Sequence, residues 1–306
     1  MLTSVTESRR GLLSGTAAYV LWGAFPLYFP LLEPGGALEI LAHRVLWSAL
    51  TMALVLVLLR RVGHVREVLA DRRKVRLLAV AAAVITVNWG SYIWGVTHER
   101  VVEASLGYFI NPLVTVLMGV LVLGERLRRM QWLAMGVATT AVVVLTVDYG
   151  HPPWIALVLA FSFGTYGLAK KSADTGAVES LAIETTMLAP FAALYLGFLV
   201  ATGASGFAQH GVGHALLLAS SGIVTSVPLV LFGAAATRVS MVSLGLLQYL
   251  APILQFALGV VWFGEDMPPG RWAGFVLVWV ALVIFTVESL HNRRRQLALA
   301  AEASAL

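Results

Sequence analysis

The sequence contains no cysteine, which excludes disulfide bonds, thiolate metal sites and thiol nucleophiles. It also lacks the Gly-x-x-x-x-Gly-Lys-Ser/Thr loop that cradles nucleotide phosphates, so the chain alone cannot use ATP. No His-Glu-x-x-His or Gly-x-Ser-x-Gly motif is present, and the 7 histidines show no metal-ligand spacing. We therefore expect a protein that is not an enzyme and that has no metal or organic cofactor.

Charged residues are scarce as well, at 12% of 306 residues against 59% hydrophobic residues. A soluble domain carries about 25% charged residues, and this chain has too few to cover a water-exposed surface. A helix needs about 20 apolar residues to cross the ~30 Å core of a bilayer. Ten such runs predict an all-α integral membrane protein with ten transmembrane helices. The runs cover 11–32, 37–59, 77–97, 101–123, 131–147, 153–169, 177–201, 213–234, 240–263 and 271–287.

Lysine and arginine are distributed unevenly between the predicted loops. If the N-terminus is cytoplasmic, 18 of the 21 basic residues lie on the cytoplasmic side, and two, Arg100 and Arg271, lie outside. Arg44 lies within the second predicted helix. Because cytoplasmic loops are enriched in lysine and arginine, this distribution predicts that both termini are cytoplasmic. The net charge of +5 is then a signal of topology and requires no nucleic-acid partner.

The two halves of the chain resemble each other at an offset of 140 residues. Each half contains five predicted helices, and an odd number means that the second half enters the membrane from the opposite side. We therefore predict two inverted repeats, at 9–147 and 153–287, followed by a cytoplasmic tail at 288–306. Inverted repeats are typical of secondary transporters, which bind substrate near the midplane between the halves. Matching residues at this offset are Pro112 and Pro252, Gly124-Glu125 and Gly264-Glu265, and Trp132 and Trp272.

The doubled pattern of Pro, Gly and Gly-Glu that closes the fourth helix of each half is similar to the EamA-type members of the drug/metabolite transporter superfamily. Within it, the segments 39–48 (EILAHRVLWS) and 105–113 (SLGYFINPL) resemble the RarD group, whose members are named chloramphenicol-sensitive proteins. The resemblance extends over residues 9–290. It implies a ten-helix permease of the bacterial inner membrane that exports a metabolite or drug, and it leaves the natural substrate open.

The second predicted helix contains three ionisable residues, Glu39, His43 and Arg44. An ionisable side chain costs about 2.5–3.5 kcal/mol at the centre of a membrane helix, so its presence invites a functional interpretation. Glu39 and His43 are four residues apart and share a helix face. With Arg44 they could form an anion-binding or proton-coupling cluster. The alternative is a structural pair, with the Arg44 side chain extending to the membrane surface.

Polar side chains line one face of the fourth predicted helix and the equivalent face of the ninth. Prolines beside them free backbone carbonyl groups and permit kinks. Two symmetry-related polar stripes suit a pathway between inverted repeats, although hydrogen bonds that only join helices would also explain them. The residues are Tyr108, Asn111 and Thr115 with Pro112 in the fourth helix, and Gln248 and Gln255 with Pro252 in the ninth.

Side chains of other helices could complete this pathway. Trp22 of the first helix and Asn88, Trp89 and Tyr92 of the third are candidates for its wall, since aromatic rings stack on flat substrates and on cations. Anchoring at the lipid interface is the alternative for any one of the aromatic residues. Glu184, within the seventh helix, is a second candidate for proton coupling, and the sequence identifies no partner for it.

The two Gly-Glu pairs are interpreted as structural. Gly124 and Gly264 can each end a helix in the left-handed conformation that glycine adopts without strain. Glu125 and Glu265 would then lie near the start of the next helix, where negative charge complements the helix dipole.

These observations predict a secondary transporter that works by alternating access, with a small-molecule substrate and the lipid bilayer as partners. Its energy would come from an ion gradient or from the membrane potential, and protons are a candidate coupling ion. An intramembrane enzyme acting on a lipid-linked substrate is an alternative, but it would need a polar catalytic cluster on larger loops. A membrane sensor or scaffold without transport activity is a second alternative. The sequence carries no signal for the oligomeric state.

Overall fold

The computed structural model describes residues 2–123, 127–207, 209–236, 238–239 and 247–304. No β-strand occurs in these ranges, which confirms the all-α prediction. A 3₁₀ turn at Phe29–Leu32 follows the second helix, and a π-helical turn at Leu258–Trp262 follows the eleventh. The helices are α1 (Leu2–Gly23), α2 (Phe25–Tyr28), α3 (Ala37–Leu58), α4 (Val62–Ala70), α5 (Arg72–Thr97), α6 (Val101–Leu123), α7 (Arg129–Tyr149), α8 (Trp154–Ala173), α9 (Ala177–Ala201), α10 (Gly211–Ala236), α11 (Leu250–Ala257) and α12 (Pro269–Ser304).

Seven of the described helices are long and apolar enough to cross a membrane, and an eighth span results if α1 and the bent segment after it count as one. Two shorter apolar helices, Trp154–Lys170 and Leu250–Trp262, coincide with the predicted sixth and ninth spans. The chain is therefore a multi-pass membrane protein, with seven or eight full-length spans in its described part where the sequence predicts ten. Residues 240–246 of the ninth predicted span, and Gly124 and Glu125, lie outside the described ranges.

The first predicted span, 11–32, is broken. α1 ends at Gly23, and the chain then continues through α2 and the 3₁₀ turn in a direction that differs by 44°. Pro26 and Pro30 explain the break, because proline has no N–H to donate to the preceding helical turn and its ring crowds that turn. The prediction of one continuous helix over 11–32 was wrong at the break after Gly23.

Helix α4 lies between the second and third predicted spans, where the sequence predicts no helix. Asp71 separates it from α5, and its carboxylate accepts hydrogen bonds from the N–H groups of Arg73 at 2.9 Å and Lys74 at 3.2 Å. An N-cap of this kind satisfies two of the four free N–H groups of a helix start. α5 therefore begins at Arg72, ahead of the predicted start at 77.

Helix α12 extends to Ser304, well beyond the predicted end of the tenth span at 287. The segment after 287 is rich in alanine, leucine and arginine, which are strong helix formers, and it has no glycine or proline to end the helix. The predicted tail at 288–306 is thus helical as far as Ser304.

The two halves of the chain interleave in the packing. α3 lies against α9 and α10, α8 lies against α5 and α6, α1 lies against α10 and α11, and α7 lies against α12. One apolar core surrounds α3, α5 and α9, and a second surrounds α6, α7 and α12. Large apolar side chains are exposed on the outside, such as Val147 at 78% and Val261 at 84%, which is expected where a helix faces lipid.

Candidate functional site

Glu39 lies in the first turn of α3 and is buried. Its carboxylate accepts hydrogen bonds from the Ser205 hydroxyl at 3.1 Å and from the Gly206 N–H at 2.7 Å, both in the loop after α9. Glu39 therefore joins two segments that are far apart in the sequence. It forms no hydrogen bond or salt bridge with His43 or Arg44 in the described structure, so direct contacts do not assemble the predicted three-residue cluster.

His43 packs on the loop that Glu39 binds. Its ring stacks on Phe207, with the centroids 4.8 Å apart and the planes at 25°. Neither ring nitrogen has a hydrogen-bond partner among the residues that the structure describes. His43 thus contributes packing at this position, and it does not pair with Arg44.

Arg44 occupies a different face of α3 and is only 4% exposed. Its Nε donates a hydrogen bond to Oγ1 of Thr225 in α10 at 2.9 Å. The guanidinium carbon lies 4.2 Å from the ring centroid of Trp89, 5.4 Å from that of Phe29 and 5.5 Å from that of Phe25. These are cation–π distances. The side chain does not extend to the membrane surface, so that alternative is wrong.

Two tyrosines continue the aromatic surroundings of Arg44. The ring of Tyr92 in α5 lies 5.9 Å from that of Phe29 and 5.7 Å from that of Tyr108 in α6. The Tyr92 hydroxyl is buried and has no hydrogen-bond partner within the described ranges. The structure therefore brings three predicted site residues, Trp89, Tyr92 and Tyr108, together around the guanidinium of a fourth, Arg44. We call Phe25, Phe29, Arg44, Trp89, Tyr92 and Tyr108 the arginine chamber.

Asn88 borders the chamber and connects it to α8. Its Nδ2 donates to the Leu159 carbonyl and to the Ser162 hydroxyl, both at 3.0 Å. The Tyr108 hydroxyl lies 3.5 Å from its Oδ1, at the long limit of a hydrogen bond. Asn88 is 1% exposed, so it positions α8 and Tyr108.

The other predicted pathway residues lie apart from the chamber. Asn111 is half-buried with an unpartnered Oδ1 in the described structure, and Thr115, one turn further along α6, is exposed. Gln248 is half-buried just before α11. Gln255, which is buried in α11, donates to the Trp22 carbonyl at 3.1 Å. The Trp22 ring packs against aromatic rings of α1 and α10, so it does not line the arginine chamber.

The two repeat prolines occupy different helical positions. Pro112 lies inside α6, which continues through it. Pro252 lies in the first turn of α11, where the missing N–H removes no helical hydrogen bond. Of these two prolines, Pro112 alone therefore frees a carbonyl group within a long helix.

Glu184 has partners that the sequence did not identify. Nζ of Lys170 lies 2.9 Å from its Oε1, and the Tyr166 hydroxyl donates to its Oε2 at 3.1 Å. Both partners belong to α8. Because a lysine balances this buried carboxylate, the geometry favours a structural ion pair.

Gly264 and Glu265 follow the π-helical turn. Gly264 has a φ of 64°, the left-handed conformation predicted for it. The Glu265 carboxylate accepts hydrogen bonds from the N–H groups of Val101 and Val102, in the first turn of α6. Its negative charge therefore complements the dipole of α6. The sequence predicted this role at the next helix in the chain, and the structure shows the hydrogen bonds of Glu265 at the start of α6.

A polar pocket of about 380 Å³ surrounds Glu265. Its charged groups are largely paired: Arg271 donates to Asp148 at 3.2 Å, and Glu103 accepts from the Ile155 N–H at 3.0 Å. The described residues contain no group of three or more His, Asp or Glu that could hold a metal ion. The paired groups of this pocket therefore link the ends of several helices at one face of the protein. Its lining includes Glu99, Arg100, Glu103, Tyr149, His151 and Arg271.

Replacing Glu265 with glutamine is expected to reduce the pH dependence of stability. Burial raises the pKa of Glu265 from 4.5 to about 7, against the opposing effects of the Val102 and Val101 N–H groups and of Arg271. Between these values the folded chain keeps a proton that the unfolded chain has released. The contribution of Glu265 to the free energy of unfolding should thus be highest below pH 4.5 and fall as the pH rises to about 7, by at most about 1.4 kcal/mol per pH unit.

Thermal unfolding in detergent between pH 5 and 8 measures this effect. The Glu265→Gln variant should have a flatter profile than the wild type. Asp266→Asn, at the neighbouring position, is the control and should keep the wild-type slope. If the unfolding temperature of Glu265→Gln changes with pH as steeply as that of the wild type, the expectation is contradicted.

The chain matches known proteins over nearly its whole length. The EamA-like transporter family matches residues 9–147. Protein RarD of Streptomyces exfoliatus is 61% identical over 289 residues, which cover 94% of this chain and 92% of that protein. Protein RarD of Escherichia coli (strain K12) is 43% identical over 94% of this chain and 98% of its own length. The chain belongs to the EamA-like transporter family, in its RarD group.

A solved crystal structure has a fold similar to that of this EamA-like transporter. The two structures align over 92% of this chain and 98% of the other, with a TM-score of 0.57 and 19% sequence identity. This likeness concerns the fold alone. The match to the family ends at residue 147. The RarD relatives extend the family assignment to the second half, because their alignments cover 94% of the chain.

Three residues in contact with Arg44 were not identified from the sequence: Phe25, Phe29 and Thr225. The two phenylalanines lie in an apolar run, where an aromatic residue is ordinary and does not indicate a functional site. The signal that could have identified them is the pair of prolines beside them, since broken helices form the substrate sites of many transporters. For Thr225 no signal exists, because one hydroxyl in a membrane helix usually bonds to its own backbone.

Proposed function

We propose that this EamA-like transporter is a secondary permease that moves a small metabolite or drug out of the bacterial cytoplasm by alternating access. The observation that carries the proposal is the arginine chamber, a buried cation with aromatic walls where the two halves meet. Arg44 belongs to α3 in the first half, and it donates to Thr225 of α10 in the second half. The family resemblance supports export and the inner-membrane location, and the distribution of lysine and arginine supports cytoplasmic termini.

A two-fold pattern of helix contacts supports ten spans in two inverted repeats, with α8 and α11 as the short sixth and ninth spans. If α1, α3, α5, α6 and α7 correspond to α8, α9, α10, α11 and α12, the contacts between halves occur in equivalent pairs. α1 packs on α10 as α5 packs on α8, and α1 packs on α11 as α6 packs on α8. α3 packs on α10 as α5 packs on α9. Exchanging the two halves leaves three further contacts unchanged, because each joins a helix to its own equivalent: α3 with α9, α6 with α11 and α7 with α12.

Carboxylates 140 residues apart make equivalent contacts, which also supports the repeat. Glu39 binds the loop after α9, and Glu179 accepts from Arg61, in the segment after α3, at 3.1 Å. Each contact joins one half to the other, and the two lie on opposite faces in the predicted topology. A second equivalent set comprises the salt bridges of Asp148 with Arg271 at 3.2 Å and of Glu288 with Arg128 at 2.8 Å.

Exposure along the polar face of α6 supports a pathway that opens toward the cytoplasm. Ala104, near the predicted outer end, is fully buried, Tyr108 and Asn111 are half-buried, and Thr115 is exposed. A cavity closed by the outer loops and open at the inner side would produce this gradient. Substrate would then enter the chamber from the cytoplasm in the conformation described.

Replacing Asn111 with tryptophan is expected to block transport. The larger ring would fill the half-buried face of α6 between the chamber and the exposed Thr115. Purified protein in proteoliposomes would be loaded with labelled amino acids and aromatic compounds, and efflux would be followed with and without a pH gradient. We expect saturable release from the wild type and a fall to the level of empty liposomes in the variant. Acceleration by the gradient would identify protons as the coupling ion.

Val143→Trp is the matched control, because Val143 on α7 is 57% exposed on an apolar surface. It should transport as the wild type does. Full transport by Asn111→Trp would exclude the α6 stripe from the pathway. If folded wild-type protein releases no compound, even from a whole-metabolite extract, the transporter function is contradicted and a sensor or scaffold is favoured.

A further inference from the structure

We propose that the arginine chamber binds the carboxylate of a monoanionic or zwitterionic substrate with an aromatic or apolar body. This inference rests on the proposed transport function and names its substrate class. Its central observation is that Arg44 is buried without a counter-charge. None of the salt bridges within the described ranges involves Arg44.

The guanidinium has unused hydrogen-bonding capacity. It carries five N–H donors in a planar fork, and only Nε is used, toward Thr225. No hydrogen bond of the described residues involves either terminal nitrogen. Those two nitrogens are the ones that recognise a carboxylate in a bidentate manner.

The carboxylates nearest to Arg44 in the sequence and in the repeat form no salt bridge with it in the described structure. Glu39 accepts from Ser205 and Gly206, and Glu184, the residue equivalent to Arg44 in the second half, pairs with Lys170. Aromatic faces stabilise a buried cation only in part, and removing an ion from water without a partner is costly. An arginine remains charged in such surroundings, so an anion from outside the chain would complete the site.

A second donor in the chamber points to an oxyanion as well. The buried Tyr92 hydroxyl has no hydrogen-bond partner in the described structure. The Tyr92 ring lies 5.9 Å from that of Phe29 and 5.7 Å from that of Tyr108, so it belongs to the same wall. A carboxylate in the chamber could accept from the Arg44 fork and from Tyr92 together.

The rest of the surroundings fits an apolar or aromatic body. The rings of Phe25, Phe29 and Trp89 offer faces for stacking. Beside them, an open apolar groove of about 350 Å³ includes Phe25, Tyr28 and Val224 in its lining. One arginine balances one negative charge, so a monoanion suits the chamber better than a phosphate dianion.

The test compares three compounds of one shape and different charge: phenylacetate, phenylalanine and phenethylamine. Binding is measured by the thermal shift of the purified full chain in detergent, and transport is measured in proteoliposomes. We expect the two carboxylates to bind and the amine not to bind. Arg44→Gln should lose at least about tenfold in affinity for both carboxylates, because the charge-assisted hydrogen bonds disappear. Arg66→Gln removes the same charge from an exposed site on α4 and should bind as the wild type does.

Each outcome decides between the claims. The anion site would be overturned if phenethylamine bound as tightly as the two carboxylates, or if folded Arg44→Gln bound the carboxylates as tightly as the wild type. If such a protein still transports neutral compounds, the proposed function stands without it. Binding that depends on Arg44, but without any flux, would support the site and contradict transport. A thermal shift that chloride or inorganic phosphate reproduces in full would overturn the organic substrate class.

Discussion

A disulfide between positions 35 and 206 is expected to stop transport, and a reducing agent is expected to restore it. A Cβ atom added at Gly206 would lie 3.7 Å from Cα of Gly35, so the two Cα atoms are within about 5.2 Å of each other. A disulfide requires about 4.4–6.8 Å. Gly35 precedes α3 and Gly206 follows α9, so the bond would join the two halves at the face that must open for release. The chain has no cysteine, so no other disulfide can form within it.

The matched controls are the two single-cysteine variants, Gly35→Cys and Gly206→Cys, which carry the same side chains and cannot form a disulfide within the chain. Both should transport as the wild type does, with or without dithiothreitol. Flux in proteoliposomes, before and after dithiothreitol, measures all three variants, and full flux through the oxidised 35–206 pair would contradict opening at this position.

Replacing Gly222 with alanine is expected to destabilise the fold by about 3 kcal/mol or more, the upper range for overpacking. The added Cβ would lie 2.3 Å from the carbonyl oxygen of Trp47 and 2.4 Å from its carbonyl carbon. That carbonyl cannot move easily, because it belongs to the backbone of α3 and accepts a hydrogen bond from Thr51 at 2.8 Å. α10 would have to separate from α3, which would also disturb the Arg44–Thr225 hydrogen bond.

Thermal unfolding and the monodisperse fraction in detergent measure this effect. Gly136→Ala is the control, since no atom lies within 4 Å of a Cβ added there, in the middle of α7. It should be neutral or slightly stabilising, because alanine favours the helix by up to about 1 kcal/mol. Equal stability of the two variants would show that α3 and α10 are less closely packed than the structure indicates.

The helices could be predicted from hydropathy because a membrane span must satisfy its backbone internally over about 20 residues. The same criterion does not register α4 or the extension of α12, since neither depends on crossing a membrane. It also overlooks the break after Gly23, because proline in an apolar run barely changes the mean hydropathy. The short α11 and its π-helical turn occupy one predicted span, and nothing in their composition predicts the turn.

The chamber residues could be predicted in part for a related reason. Arg44, Tyr92 and Tyr108 carry polar groups within apolar helices, where such groups need a purpose. Their partners could not be predicted, because the contacts link distant positions: Glu39 and Ser205 are 166 residues apart. Periodicity within one helix contains no information on such contacts. The offset of 140 residues could have paired Glu39 with Glu179, since it applies to carboxylates as it does to prolines.

An arginine that only its ligand neutralises gives the empty and loaded carriers different electrical charges. With a monoanion bound, the chamber is neutral, and membrane voltage exerts little force on it. The empty chamber carries one positive charge, and an inside-negative voltage acts on its movement across the membrane with up to about 2.3 kcal/mol per 100 mV. Voltage would therefore return the empty site to the cytoplasm and leave the loaded site free to move outward. With a monoanionic substrate, each export cycle would thus move one negative charge outward, and the resting potential would drive it.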